Sequence, residues 1–272
     1  MDCHILDTGY TSTIEGLIMR GGRLRRVECH SIVALLLHPE HGPILFDTGY
    51  APRILHATSR FPNRFYRWIT PLHVEAEGSV TSQLHRWGLS ANDIRYVIIS
   101  HFHADHIAGL RDFERATFIA TQSAYDDVVR RRGLSALKRA FLPQLMPPNF
   151  ERRSRLLPTF AGEPLLGLGP TYDLFGDGTL TLVDLPGHAH GQIGMLADTG
   201  EGRTLFAADG CWMMRQVREQ RPPHPLTAII ADDMRAVRAT ISNLHTFSLA
   251  YPDVRIIPCH CPETFSRVVS RP

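Results

Sequence analysis

No stretch of this chain is apolar for long enough to cross a bilayer; the longest aliphatic run, Ile32 to Leu37, has the length of a strand. Membrane partners are therefore not expected. Cysteine is sparse and odd in number. Cys3, Cys29, Cys211, Cys259 and Cys261, in a chain long enough to build its own core, suit reduced thiols better than a disulfide framework. The C-x-C spacing of Cys259 and Cys261 fits neither a redox motif nor a zinc ribbon, and their alternation with His260 predicts small buried groups pointing away from it. Excess charge is also lacking: 29 Lys and Arg against 27 Asp and Glu leave +2, too little for a polyanion footprint, so nucleic acid is not an expected partner. The first twenty residues carry Asp2, Asp7, Glu15, Gly9 and Gly16 instead of a basic start and an apolar core. That pattern is not a secretory signal and leads to a cytoplasmic expectation.

What is present is ordinary globular composition, with 43% hydrophobic and 21% charged residues over 272 positions, enough for one large domain. Val27 to Leu37 and Ile44 to Phe46 flank the turn-like His38-Pro39-Glu40-His41-Gly42-Pro43 and predict a hairpin. Val80, Leu84 and Trp87, ending at Gly88, predict a helix over about 76–87. Short strands are expected at Tyr96–Ile99, Thr117–Ala120, Thr179–Val183, Ile193–Ala197, Thr204–Ala207 and Val254–Ile257. Helices are expected from Ile107, from Gln122 to Arg131, and from Ala231 to Ala250. The proline-bearing segment at about 133–170 lacks clear periodicity and is read as an insert or lid within a single domain spanning 1–272, covering the site or serving a homodimer contact.

The strongest chemical signal is His101-x-His103-x-Asp105-His106, which follows a strand and precedes a helix. Imidazole and carboxylate are donors that a zinc-like divalent ion prefers, and a tight strand-to-helix turn lets them converge. Alternation separates His101 and His103 from Asp105 and His106, which points to two adjacent ions. His188, Asp209 and His260, each at a strand end or tight turn, supply the remaining donors, with Asp209 able to bridge through its two oxygens. The expected cofactors are two divalent metal ions, zinc first, with iron or manganese as alternatives.

SHFHADH at 100–106, PGHAHG at 186–191, Asp209, His260 and ILFDTG at 44–49 together resemble the metallo-β-lactamase-fold hydrolases. The resemblance implies an α/β (α+β) fold, a four-layer αββα sandwich of two mixed sheets flanked by helices, with a dinuclear site along one sheet edge. It implies one ion on His101, His103 and His188, the other on Asp105, His106 and His260, and Asp209 between them. His rather than Glu at 103 separates the chain from the redox di-iron branch. Chain length, the lack of a large C-terminal appendage and the proline-bearing middle segment are most similar to the N-acyl-homoserine lactonase branch. The implied activity is opening of a lactone or related carboxylic ester by a metal-bridging hydroxide, on a small-molecule substrate with an apolar acyl group. A glyoxalase II-like thioester hydrolase and a non-catalytic metal-fold sensor or partner-binding module are the alternatives.

Asp105 and Asp209 are candidates to shuttle a proton to the leaving group. Trp212 stands where those lactonases carry a tyrosine, and Trp212 or Tyr50 is a candidate donor to the substrate oxygen. Asp47 reads either as the partner that orients a ligand imidazole or as a turn residue before Gly49. His190 competes with His188 as a ligand, although the family pattern places the ligand first. Arg130 to Arg132, with Arg152, Arg153 and Arg155, read as a solvated face or an anion grip. Phe61, Phe65, Tyr66, Trp68, Phe141, Met213 and Met214 are core or an apolar acyl pocket.

Overall fold

The computed structural model describes residues 1–165 and 167–268. Twelve strands are described: β1 (Asp2–Ile14), β2 (Arg26–His38), β3 (Gly42–Phe46), β4 (Leu72–His73), β5 (Tyr96–Ile98), β6 (Thr117–Thr121), β7 (Ser154–Leu157), β8 (Thr171–Asp173), β9 (Leu180–Asp184), β10 (Ile193–Thr199), β11 (Gly202–Ala208) and β12 (Arg255–Pro258). They form a seven-stranded sheet ordered β4-β1-β2-β3-β5-β6-β7 and a five-stranded sheet ordered β12-β11-β10-β9-β8. Both are mixed: β3, β5, β6 and β7 run parallel beside an antiparallel β1–β2–β3 meander, and β12 is parallel to β11 in an otherwise antiparallel sheet.

The layering follows from the two-residue period of a strand. Along β2, Ile32, Ala34 and Leu36 face the second sheet and meet Leu180, Leu182, Met195 and Phe206. Val33 and Leu35 face the other way, packing with Ile54, Leu84, Ile107 and Phe113. Burial on both faces explains why β2 reads as a continuous aliphatic run instead of an alternating one. The outer face of the second sheet, through Val183, Leu196 and Leu205, packs on Val237, Ile241, Leu244 and Phe247 of the helix Met234–Ala250. Those positions recur at three- and four-residue spacing, one helical stripe. Asp233 caps that helix by accepting from the Arg235 and Ala236 amides at 2.7 and 3.1 Å. The result is the expected helix–sheet–sheet–helix sandwich. No described helix is long and apolar enough to cross a membrane.

Several expected boundaries shift. The helix over 76–87 is a short α-turn, Val80–Gln83, running into a 3₁₀ turn, Leu84–Trp87; the Ser79 hydroxyl accepts from the Ser82 amide and sets its start at Val80. The helix expected from Ile107 begins earlier, at Ala104–Ile107, with a 3₁₀ turn at Leu110–Asp112. The segment at about 133–170 is not an appended insert in its first half. It carries the helix Gly133–Leu137 and edge strand β7, and it buries Phe141, Leu142, Leu145 and Phe150 in the core that holds Val33 and Leu35. Strand β1, absent from the expectations above, pairs along nearly the whole of β2 with an irregularity between Asp7 and Tyr10.

The fold sets up one rim. Parallel strands β3 and β5 deliver Asp47, Ser100 and His101 just past their C-terminal ends, and parallel β11 and β12 deliver Asp209, Cys259 and His260 past theirs. The β9–β10 turn brings His188 to the same rim, where it contacts Asp209.

Candidate metal centre

The seven residues singled out in the sequence stand together. Ring nitrogens of His101, His103 and His188 lie within 4.8 Å of one another, as do donor atoms of His106, Asp209, Cys259 and His260. Asp209 joins the two groups: its Oδ2 is 3.1 Å from His188 Nε2, and its Oδ1 is 3.2 Å from His260 Nε2 and 3.3 Å from His106 Nε2. Asp105 sits at the more open edge, its Oδ2 3.4 Å from His260 Nε2 and 3.8 Å from His106 Nε2.

The surrounding chain fixes which nitrogen each ring presents. Asp47 Oδ1 accepts from the Ser100 amide at 2.8 Å, and its Oδ2 accepts from the Ser100 hydroxyl and from His106 Nδ1, both at 2.7 Å. Because the Ser100 hydroxyl donates to Asp47, its oxygen accepts from His101 Nδ1 at 3.0 Å. His260 Nδ1 donates to the His30 carbonyl at 2.5 Å. Each of these three rings thus keeps its Nδ1 proton and presents Nε2 as the nitrogen that can ligate once it carries no proton. Asp47 is therefore the orienting partner, and its φ of 65° also makes it a turn residue.

The donor atoms fit divalent cations. His101 Nε2, His106 Nε2 and Asp209 Oδ1 are buried yet lack a hydrogen-bond partner, a costly state for polar groups in a protein interior. His103 Nδ1 and His188 Nε2 face each other at 2.9 Å, where one lone pair must carry a proton unless a cation takes its place. Burial, then the neighbouring imidazoles, pushes His101 and His103 well below the usual histidine range, so both are neutral and able to ligate. Burial opposes charge at His106 and His260 too, but Asp47 beside the first and Asp209 beside the second hold those imidazoles well above that range. Burial also works against the Asp209 carboxylate, yet His260, His188 and His106 keep it ionised well below the usual range.

The His188 turn depends on one glycine. Gly187 adopts φ +125°, and a Cβ there would stand 2.3 Å from the Val237 amide nitrogen. This close approach lets the Asp233 amide donate to the Gly187 carbonyl at 2.9 Å and the Asp232 amide to the His188 carbonyl at 3.1 Å, fastening the turn to the helix start. His188 is buried while His190 is exposed, which separates the two candidates.

Other expectations need correction. The single Trp212 indole N–H donates to Asp209 Oδ2 at 3.0 Å, so it is already used and positions Asp209 instead of standing ready for a substrate oxygen. Tyr50 is enclosed with Tyr66 in the core that holds Val33 and Leu35, and burial holds both phenols well above the usual range. Cys259 does not point away: β12 ends at Pro258, strand alternation ends with it, and its thiol joins the second donor group. Arg131 pairs with Asp127 at 2.6 Å, Arg153 donates to the Phe113 and Ala116 carbonyls, and Arg155 donates to the Leu174 carbonyl and Tyr172 hydroxyl. These three are structural. Phe141 and Met213 are buried, whereas Phe61, Phe65 and Trp68 form an exposed edge-to-face trio with centroids 5.2–5.5 Å apart.

Comparison with known proteins agrees with this geometry. The model of the metallo-beta-lactamase superfamily matches residues 27–251. An N-acyl homoserine lactonase of Azorhizobium caulinodans is 30% identical over 207 residues, covering 75% of this chain and 73% of the relative. A probable metallo-hydrolase of Mycobacterium tuberculosis is 25% identical over 251 residues, covering 87% of this chain and 76% of the relative. Among solved structures, an N-acyl homoserine lactone hydrolase with N-hexanoyl-L-homoserine at its catalytic metal centre superposes with a TM-score of 0.75 at 18% identity, covering 98% of this chain and 96% of that one. The dizinc quorum-quenching lactonase AidC gives 0.67 at 19% identity, covering 96% and 87%. A family match across most of the chain, with the donor residues of its motifs converging at one rim, establishes that this protein belongs to the metallo-beta-lactamase superfamily.

Proposed function

We propose that the protein is a dinuclear metal-dependent hydrolase that opens the ring ester of N-acyl homoserine lactones or a closely related carboxylic ester with an apolar acyl group. The observation that carries this reading is the pair of donor groups sharing Asp209, all within a buried rim. Lactonases among the relatives and structural neighbours support the substrate class. His101, His103 and His188 would hold one ion, His106, His260 and Asp105 the other, and Asp209 would lie between them. A bound pair of divalent ions, zinc first, supplies water of lowered pKa and polarises the ester carbonyl.

The chain's own residues do the rest. Asp47 and Ser100 keep the Nε2 lone pairs of His106 and His101 directed inward. Trp212 fixes the Asp209 carboxylate by donating to Oδ2. Ester opening adds water to the carbonyl carbon, breaks the acyl carbon–oxygen bond and returns a proton to the departing alkoxide. Asp105, whose side chain is 15% exposed against 3% for Asp209, is the carboxylate placed to carry that proton. In a lactone the alkoxide stays tethered, so the product is a hydroxy acid.

Purified protein with its metal content measured is assayed against N-acyl homoserine lactones of several chain lengths, a glutathione thioester and a phosphodiester. Lactone turnover exceeding the other two classes is the expected result. Preferred thioester turnover would replace the substrate assignment, and two bound ions with no turnover would make the protein a metal-bearing binding module.

A further inference from the structure

The second donor group contains a residue that the motif pattern does not supply. Cys259 is 4% exposed, and its sulfur lies within 4.8 Å of donor atoms from His106, Asp209 and His260. We propose that Cys259 is a sulfur ligand of the second metal position. The inference rests on the two-ion reading above and adds the chemical character of one of its sites.

Three observations support it. First, the group that Cys259 completes has two buried members without a hydrogen-bond partner, His106 Nε2 and Asp209 Oδ1, so the sulfur joins atoms that a cation would satisfy. Second, the backbone fixes its placement: the Cys259 amide donates to the Ala208 carbonyl at 3.1 Å, beside the irregular end of the β11–β12 ladder, where β11 carries one residue more than its partner between Phe206 and Ala208. Irregularities of this kind re-aim side chains at the edge of a sheet. Third, the thiol is a weak donor, so its hydrogen bond to the Ile32 carbonyl at 3.5 Å is one that a cation can displace.

The donor chemistry is consistent. With Asp105 and the shared Asp209, the second position would offer two imidazoles, two carboxylates and one thiolate, all donor types that zinc accepts. On binding, a metal–sulfur bond forms, the S–H bond breaks and the proton leaves to solvent. A thiolate at the second position would strengthen its preference for zinc and cobalt over the harder ions magnesium, calcium and manganese, which its carboxylates alone would accept. Another grouping, His38, His41 and Asp177, does not make a comparable site. His38 Nδ1 accepts the Glu40 and His41 amides at 3.2 and 3.1 Å, which leaves Nε2 carrying its proton and donating to Thr179 at 3.0 Å.

The test is a cobalt(II) titration of the full, metal-stripped chain, followed by absorbance. A near-ultraviolet thiolate-to-cobalt charge-transfer band is expected as the second equivalent binds, together with visible bands from both sites. Cys259→Ser should lose the charge-transfer band and weaken cobalt and zinc at one of two positions by at least about tenfold, while Cys29→Ser keeps the band. Two bound equivalents with no charge-transfer band would overturn the sulfur assignment and leave the two-ion site standing. A band that survives in Cys259→Ser would also overturn it. Failure to bind cobalt at all would remove the two-ion reading and this inference with it.

Discussion

Asp47→Asn offers a test of how the protein prepares its donor atoms. The substitution preserves shape, and asparagine tolerates the left-handed backbone at this position. The amide cannot satisfy all three existing partners. The Ser100 amide must donate to an oxygen, so the Asn oxygen takes the place of Oδ1, and the Asn NH₂ replaces Oδ2, which now accepts from His106 Nδ1 and the Ser100 hydroxyl. The hydroxyl can rotate away. The imidazole faces a donor and must move its proton to Nε2, the nitrogen that lies 3.3 Å from Asp209. A ring protonated at Nε2 cannot ligate there. Loss of such an orienting partner weakens metal binding by about 10- to 100-fold, which is about 1.4–2.8 kcal/mol. Competition against a chelator of known zinc affinity, read separately for the two equivalents, measures it. The tighter loss should fall on the position containing His106. Unchanged affinity at both positions would refute the argument that Asp47 acts by fixing the tautomer.

Trp212→Phe keeps the ring but removes the N–H that reaches Asp209, and kcat/KM should fall by about tenfold or more, in line with losing a hydrogen bond to a charged group; an unchanged value would show that Trp212 is only packing. Metal affinity should rise with pH above the ordinary histidine value of roughly 6.5, because His106 and His260 hold protons above that value that a bound ion must displace; isothermal titration in two buffers of different ionisation heat counts those protons. In the metal-stripped protein, raised pKa values at His106 and His260 stabilise the fold below roughly 6.5 and lose that effect as pH rises through their folded values. The lowered values at His101 and His103 act oppositely, with stability present above roughly 6.5 and lost as pH falls. Thermal melts across pH should therefore peak near there. Gly187→Ala should lower the melting temperature, since the strained backbone alone costs about 1–3 kcal/mol and the added Cβ meets the Val237 amide nitrogen at 2.3 Å; an unchanged melt would show that the turn can relax.

Much of this site was legible because the ligands follow short runs with a clear strand period: His101 after Tyr96–Ile98, Asp209 after β11 and His260 after β12. What escaped the reading did so for physical reasons. Strand β1 is polar through Thr8 to Thr13 and pairs around an irregularity, so neither alternation nor a continuous apolar run marks it. Phe141, Leu142, Leu145 and Phe150 lie among prolines with no helical or strand period, yet tertiary packing buries all four. Strand alternation places Cys259 on the side away from His260, but the strand and its alternation stop at Pro258. Trp212 stands out in the sequence as the departure from the lactonase pattern, but its bond to Asp209 depends on a turn geometry that sequence spacing does not encode.

The most direct measurement is the metal content per chain of metal-replete protein by inductively coupled plasma mass spectrometry, for the wild type and for Asp209→Ala, with lactone turnover measured on the same samples. Two ions per wild-type chain, with both metal and turnover lost in the variant, are predicted from the shared position of Asp209. A wild type that binds no ion, or an Asp209→Ala protein that keeps two ions and full turnover, would contradict it.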